Sequence, residues 1–176
     1  RQVGASTPTL PAITSVGGLG VRPADHTDID SLATIIQTHV NALRNGGVDK
    51  IIVLAHMQQI AVEKQLAGLL RGVDVIVAGG SNTILADSND SLRSGDMAAD
   101  TYPLQMSSAS GEPVLVVNAN GDFTYLGRLV VEFDQDGVIV TDNLDPALNG
   151  AWRSDQLPQA SFQALPAIEA ITDPLE

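Results

Sequence analysis

Two apolar runs decide the fold of this 176-residue chain: VDKIIVLAH at residues 48–56 and GVDVIVAGG at residues 72–80. Each run has the length of one β-strand and is rich in Val and Ile, and turn-forming glycines accompany both. Apolar runs without polar alternation are typical of strands that are covered on both faces. The two runs therefore predict a sheet whose strands lie inside the protein.

Helical signals surround these two predicted strands. Asp28 or Asp30 can cap a helix whose apolar residues recur at helical spacing until Gly46 ends it. A second helix is predicted at about residues 58–71, between the two strands. The order helix, strand, helix, strand predicts parallel pairing with a right-handed crossover. In such sheets ligands bind beyond the carboxyl ends of the strands, so the loops that follow the two runs become the candidate site.

The rest of the chain has a different character. Residues 1–27 are rich in Gly, Pro, Ser and Thr and predict an irregular segment, and a polar loop is predicted at 87–110. Three further strands are predicted, at 113–118, 124–134 and 138–141. The last two flank an Asp-Gly pair at 136–137 that predicts a hairpin turn. We expect one domain segment over 1–142 and a linker or tail over 143–176.

Composition excludes several classes of function. The net charge is −12 and only nine residues are Lys or Arg, which argues against binding a nucleic-acid polymer or an anionic membrane surface. The chain has no cysteine, so disulfides, thiolate metal sites and cysteine nucleophiles are excluded. No run approaches the length of a membrane span, and no signal peptide is recognisable. The first residue is Arg1, which we interpret as a beginning inside a longer polypeptide.

Polar residues follow both predicted buried strands. His56 ends the first run, and a neutral imidazole at that place can bind a divalent cation. From the residues alone, an imidazole that simply bonds to backbone at the strand end is the more ordinary explanation of His56. The second run ends in Gly79 and Gly80, and Ser81, Asn82 and Thr83 follow.

These runs resemble 5'-nucleotidase-type enzymes of the calcineurin-like metallophosphoesterase superfamily. In that family a histidine ends one strand, and a later strand reads GVDVIVGGH-x-H-T. The Ser-Thr-Pro sequence at 6–8 resembles the family's TTP, and residues 111–129 resemble its strand pair vVQAG…YLGRLD. The likeness covers about residues 3–141 and is strongest at 48–80.

The resemblance implies an α/β fold, a layered sandwich of helices flanking mixed sheets, of which this chain is the second half. It implies a phosphoric monoester hydrolase that uses divalent metal ions (Mn, Zn, Ca or Mg) and a metal-bound water as nucleophile. No side chain of this chain is then assigned a catalytic role. The implied substrate is a phosphate ester or nucleotide, the implied partner is the missing N-terminal half of the same domain, and the implied location is extracellular or periplasmic.

The resemblance also assigns site residues, with two departures. It implies His56 as a metal ligand, with Asn82 as the next most suitable ligand and Gly80, Ser81 and Thr83 lining the site. The metal motifs that should precede the Thr-Pro segment are not in this chain. The final His-x-His is also replaced, and we place Ser81 and Thr83 at its two histidine positions.

Three interpretations remain open from the sequence. The first is altered coordination in an active parent enzyme, with the isolated chain inactive. The second is a degenerate, non-catalytic module of the same fold with a binding or structural role. The third is a small-ligand domain that uses the Gly79-Gly80 turn.

Overall fold

The computed structural model describes residues 1–156 of the chain. Within them the strands are β1 (Gln2–Ser6), β2 (Ile52–His56), β3 (Val75–Gly79), β4 (Leu104–Ser107), β5 (Pro113–Val117), β6 (Tyr125–Arg128) and β7 (Gly150–Arg153). The helices are α1 (Leu10–Ile13), α2 (Ile29–Asn45) and α3 (Ile60–Leu69), and two single 3-10 turns lie at Thr141–Asn143 and Ser154–Gln156. None of the helices in this range is long and apolar enough to cross a bilayer.

Five strands form one mixed sheet in the order β1-β2-β3-β5-β4. The first four strands pair in parallel and β4 pairs antiparallel with β5. The predicted parallel pairing of the two apolar runs is confirmed, with Val53 opposite Ile76 and Ala55 opposite Ala78. The mixed sheet with its helices agrees with the predicted α/β class.

Helix α2 begins and ends where the sequence predicts. The side chain of Asp28 accepts hydrogen bonds from the backbone amide of Ser31 at 2.9 Å and from its hydroxyl at 2.6 Å. This capping satisfies an amide that the first turn leaves without a partner. Gly46 closes the other end by donating its N–H to carbonyls of the last turn.

Both long helices cover one face of the sheet. Helix α2 connects β1 to β2, and α3 connects β2 to β3, so both connections move across the sheet in the same direction. Right-handed crossovers then place both helices on the same face, where they contact each other. Alternate residues of β2 and β3 are buried in the core, among them Val53, Ala55, Ile76 and Ala78. The period of two in a strand sends the intervening side chains to the opposite face.

That opposite face is only partly covered. Leu54 and Val77 are register partners in adjacent central strands, yet they are 41% and 39% exposed. Val77 also lines a groove of about 520 Å³, whose other lining residues include Ile52, Val75, Leu129, Val131 and Phe133. We call this surface, made by Ile52, Leu54, Val75 and Val77, the open face.

Two strands lie in segments that the sequence predicts to be irregular. Strand β1 lies within residues 1–27 and β4 lies within the predicted polar loop. Their sequences, QVGAS and LQMS, contain few apolar residues because each is an edge strand of the sheet. Pairing with a strongly apolar neighbour, rather than intrinsic propensity, makes them strands.

The predicted hairpin is present in a shorter form. The amide of Asp134 donates to the carbonyl of Val138 and the amide of Val140 donates to the carbonyl of Glu132, each at 2.9 Å, and Phe133 and Ile139 form an antiparallel bridge. The first part of the predicted strand 124–134 is strand β6, which pairs with β7 in the segment that we expected to be a linker or tail. The rest of that segment, 157–176, lies outside the described residues.

Candidate functional site

Four parallel strands end at one edge of the sheet. Ser6, His56, Gly79 and Val117 are the last residues of β1, β2, β3 and β5, and we call this the carboxyl edge. The backbone amide of Thr7 donates to the carbonyl oxygen of His56 at 3.0 Å, which holds the first two loops together. The topology thus brings together the loops that the sequence marked as the candidate site.

His56 lies exposed at this edge, and its ring faces the glycine turn. Its Nδ1 is 3.2 Å from Nε2 of Gln58, a residue held at a positive φ of 70°. A Cβ built on Gly80 would stand 2.7 Å from Cε1 of His56. The ring therefore fills the space that a side chain at position 80 would need.

This geometry corrects the position assigned to the missing histidines. Counted from Gly72 without a gap, GVDVIVGGH-x-H-T places Gly80 and Asn82, rather than Ser81 and Thr83, opposite the two histidines. The structure agrees for the first of them, because position 80 is the one that faces the His56 ring. Glycine there leaves a single imidazole at the site.

Ser81 and Thr83 form a hydrogen-bonded cluster with a residue of the next loop. Their hydroxyls are 2.8 Å apart, and Nδ2 of Asn118 donates to Oγ of Ser81 at 2.8 Å. The amide of Asn120 donates to the carbonyl of Thr83 at 3.0 Å. The cluster ties the loop after β3 to the loop after β5.

Asn82 stands apart from that cluster. It is exposed and its φ is +48°, a conformation that asparagine tolerates better than most residues. A Cβ added to Gly121 would meet Oδ1 of Asn82 at 2.5 Å, so the two loops approach closely at this point. The Asn82 amide is thus held at the carboxyl edge near the loop 120–124.

Sequence reasoning missed Asn118, which is 6% exposed, and Asn120 beside it. The signal that marked His56, polar residues directly after a buried strand, is also present in Asn-Ala-Asn after β5. That signal could have found both residues.

Glu63 was also missed, and it supports the loop that follows His56. It is fully buried in α3, and its Oε1 accepts a hydrogen bond from the amide of Met57 at 3.1 Å. Burial raises the pKa of Glu63 above its ordinary value. Its Oε2 has no partner among the described residues. A glutamate in a helix is typical of a solvated surface, so only the packing reveals this role.

The described residues do not make a metal centre by themselves. No group of three or more His, Asp or Glu side chains converges within residues 1–156. The carboxyl edge offers one imidazole together with neutral amide and hydroxyl oxygens, whereas divalent metal sites generally include carboxylates or several imidazoles. The resident set therefore fits at most part of a centre.

Comparison with known proteins shows what this chain is similar to. No family model matches the sequence. A 5'-nucleotidase of Bos taurus is 38% identical over 126 residues, which is 72% of this chain and 21% of that protein. A snake venom 5'-nucleotidase of Crotalus adamanteus is 38% identical over 113 residues, covering 64% of this chain and 19% of its own length. The chain is homologous to 5'-nucleotidases.

Solved structures show the same fold. The chain resembles a 5'-nucleotidase precursor from Thermus thermophilus with a TM-score of 0.62 and 28% identity, over 88% of this chain and 29% of that one. It resembles the NAD nucleotidase of Haemophilus influenzae with a TM-score of 0.55 and 30% identity, over 61% of this chain and 21% of that one. The fold is that of the 5'-nucleotidase metallophosphoesterases. The chain spans only about a fifth of the length of the Bos taurus relative.

Proposed function

We propose that this chain is the second half of a metal-dependent nucleotide phosphomonoesterase domain. The observation that carries the proposal is the exposed His56 at the carboxyl edge, facing the Gly79-Gly80 turn in a chain homologous to 5'-nucleotidases. His56 and Asn82 would supply part of the ligand set for divalent ions such as Mn, Zn, Ca or Mg. Gly80, Ser81 and Thr83 would line the site.

The open face indicates where the remainder of the site belongs. Parallel sheets are normally covered on both faces, so exposed Leu54 and Val77 in central strands require another layer. His56 projects to the same face as Leu54, because residues two apart in a strand share a face. A layer from the N-terminal half of the same domain, packed on the open face, would bury these side chains and bring further ligands towards His56.

The domain boundary and location belong to the same proposal. Residues 1–142 would form the half-domain, although β7 extends its hydrogen bonding to Arg153. The substrate would be a phosphate ester or nucleotide, since relatives are named 5'-nucleotidase and NAD nucleotidase. An extracellular or periplasmic location is consistent with the snake venom relatives.

A degenerate, non-catalytic module is the second candidate. Gly80 favours it, because position 80 has no side chain to bind a metal beside His56. The two candidates differ in whether the longer protein hydrolyses nucleotides at all.

The test uses the longer protein that contains this chain. We expect His56→Ala to lower both bound metal and the release of phosphate from adenosine 5'-monophosphate. The matched control is His39→Ala, an exposed histidine on α2 away from the carboxyl edge. Unchanged metal content and turnover in His56→Ala would remove His56 from the site, and absence of turnover in the unmodified protein would favour the degenerate module.

A further inference from the structure

Gln58 is a strained residue in the loop between β2 and α3. Its φ is +70°, in the left-handed region where the Cβ of an L-residue lies too close to the following carbonyl oxygen. Asparagine and aspartate tolerate this region better than glutamine, because their short side chains bond to nearby backbone. Strain of this kind persists only where surrounding contacts impose it, and it clusters at functional sites. The side chain of Gln58 is therefore expected to make a contact that glycine at this position could not make.

The carboxamide of Gln58 contacts the imidazole of His56. Nε2 of the carboxamide lies 3.2 Å from Nδ1 of the ring, although the two residues are only two positions apart. The other ring nitrogen, Nε2 of His56, bonds to no other side chain or backbone group within residues 1–156. His56 is exposed at the carboxyl edge, whereas Gln58 is half-buried. One ring nitrogen is thus engaged by the protein, and the other is accessible from outside.

Gly80 makes room for this pair. A Cβ at position 80 would lie 2.9 Å from Nδ1 of His56 and 3.2 Å from Nε2 of Gln58, so it would crowd both partners of the contact. Because glycine has no side chain, the carboxamide and the ring can meet beside it. The polar group next to the His56 ring is therefore supplied by position 58 and not by position 80.

The contact at Nδ1 determines what the other ring nitrogen can do. A neutral imidazole carries one proton, so one nitrogen donates and the other has a free lone pair. A carboxamide has a C=O acceptor and an NH2 donor, and a half-turn about its last bond exchanges them at the same place. When the C=O accepts the proton of Nδ1, the lone pair of Nε2 is free to bind a cation. Histidines that bind metals almost always donate their second N–H in this way.

We propose that Gln58 is a positioning residue for His56: it fixes the ring at Nδ1, so that the ring presents Nε2 to a divalent cation. The presentation to a cation rests on the proposed function, whereas the fixing of the ring does not. Gln58 acts through His56 and does not itself touch the cation. The positive φ at residue 58 is the strain that this placement of the carboxamide requires.

The decisive variant is Gln58→Gly. Glycine adopts a positive φ without strain, which offsets the extra freedom that it gives the unfolded chain, so the urea midpoint should stay close to that of the unmodified chain. In the 176-residue chain we expect an NOE between Hε1 of His56 and the Hα protons of Gly80, because Cε1 would be 2.7 Å from a Cβ at that residue. The NOE should be lost in Gln58→Gly, since the ring is then free to turn away.

Zn²⁺ binding to the longer protein that contains this chain measures the second part of the proposal. Loss of a residue that orients a metal ligand typically lowers metal affinity by about 10- to 100-fold, and we expect about a tenfold loss in Gln58→Gly. In the unmodified protein, Zn²⁺ should shift the nitrogen resonance of Nε2 of His56 more than that of Nδ1.

Two further variants separate the positioning role from a general effect on the loop. Gln58→Glu keeps an acceptor for the proton of Nδ1 and should retain both the NOE and the Zn²⁺ affinity. Gln59→Ala is the matched control, because Gln59 is exposed and its side chain makes no capping hydrogen bond to α3. It should leave both measurements unchanged.

An undiminished NOE in Gln58→Gly would overturn the positioning role, as would an unchanged Zn²⁺ affinity in that variant or coordination through Nδ1. The proposed metal site fails separately, if the unmodified longer protein binds no Zn²⁺. With the NOE lost in Gln58→Gly, that outcome would leave the fixing of the ring in place and remove the cation from the proposal.

Discussion

The imidazole of His56 lies where a side chain of residue 80 would lie. A Cβ on Gly80 would be 2.7 Å from Cε1 and 2.9 Å from Nδ1 of the ring, and 3.2 Å from Nε2 of Gln58. Glycine at position 80 therefore leaves room for the histidine ring, and it offers no side chain that could act as a second ligand there. The absence of a side chain after β3 is thus linked to the position of the ring at the end of β2.

Replacing Gly80 by alanine should displace the His56 ring. The φ of Gly80 is +82°, so alanine also carries a backbone penalty of about 1–2 kcal/mol. Gly111→Ala is the matched control, since its φ is +87° and its Cβ would meet nothing within 4 Å. We expect both variants to lose stability in urea unfolding, and only Gly80→Ala to shift the His56 ring resonances. An unmoved ring would show that the loops give way instead.

Glu63→Gln should change how stability depends on pH. Burial raises the pKa of Glu63 above its ordinary value of 4.5, so the folded state holds the proton more tightly than the unfolded chain does. That contribution to stability is fully present below pH 4.5 and is lost as pH rises through the raised folded-state pKa. We therefore expect the unmodified chain to lose stability relative to Glu63→Gln as pH rises above 4.5.

The measurement for Glu63 is urea unfolding at a series of pH values. The amide side chain introduced by Glu63→Gln keeps an acceptor for the Met57 amide, which isolates the ionisation from the hydrogen bond. Parallel profiles for the unmodified chain and Glu63→Gln would show that the carboxyl does not titrate differently on folding.

Two leucine-to-alanine substitutions should differ widely in their effect on the free energy of unfolding of the isolated chain. Leu66 is fully buried between α3 and the sheet, so Leu66→Ala should reduce the free energy of unfolding by about 2–5 kcal/mol. Leu54 on the open face is 41% exposed, so Leu54→Ala should reduce it by less than about 1 kcal/mol. Denaturant unfolding measures both. Equal losses would mean that the open face is already covered in solution.

The isolated chain should release negligible phosphate from adenosine 5'-monophosphate in the presence of Mn²⁺, Ca²⁺ or Zn²⁺. The reason is the incomplete ligand set, since no three His, Asp or Glu side chains converge within residues 1–156. A colorimetric phosphate assay measures the release. Robust, metal-dependent turnover would show that these residues suffice for catalysis and would contradict the half-domain proposal.

The strongest local signals in the sequence were sufficient to predict the centre of the fold. Unbroken Val and Ile runs predicted β2 and β3, Asp28 and Gly46 predicted the ends of α2, and their order predicted the parallel pairing. These features depend on residues near one another in sequence, or on apolar runs long enough to require burial. They therefore need no knowledge of distant partners.

The edge strands β1 and β4 and the pairing of β6 could not be predicted in the same way. β1 and β4 are weakly apolar, and β6 bonds to β7 some distance along the chain because the segment between them turns at Asp136-Gly137. Backbone pairing of this kind depends on which strand still has unpaired backbone groups in the assembled sheet. Sequence pattern alone does not contain that information.

The features of the candidate site also separate into those that the sequence determined and those that only the tertiary structure decided. By itself the sequence determined that His56 follows a buried strand, that a glycine turn follows the next one, and that both loops share an edge. Only the tertiary structure decided that position 80 faces the imidazole, that Asn118 ties Ser81 to the next loop, and that Leu54 and Val77 remain uncovered. Periodicity reports which residues need burial, whereas the contacts between separate loops arise only when the strands are placed side by side.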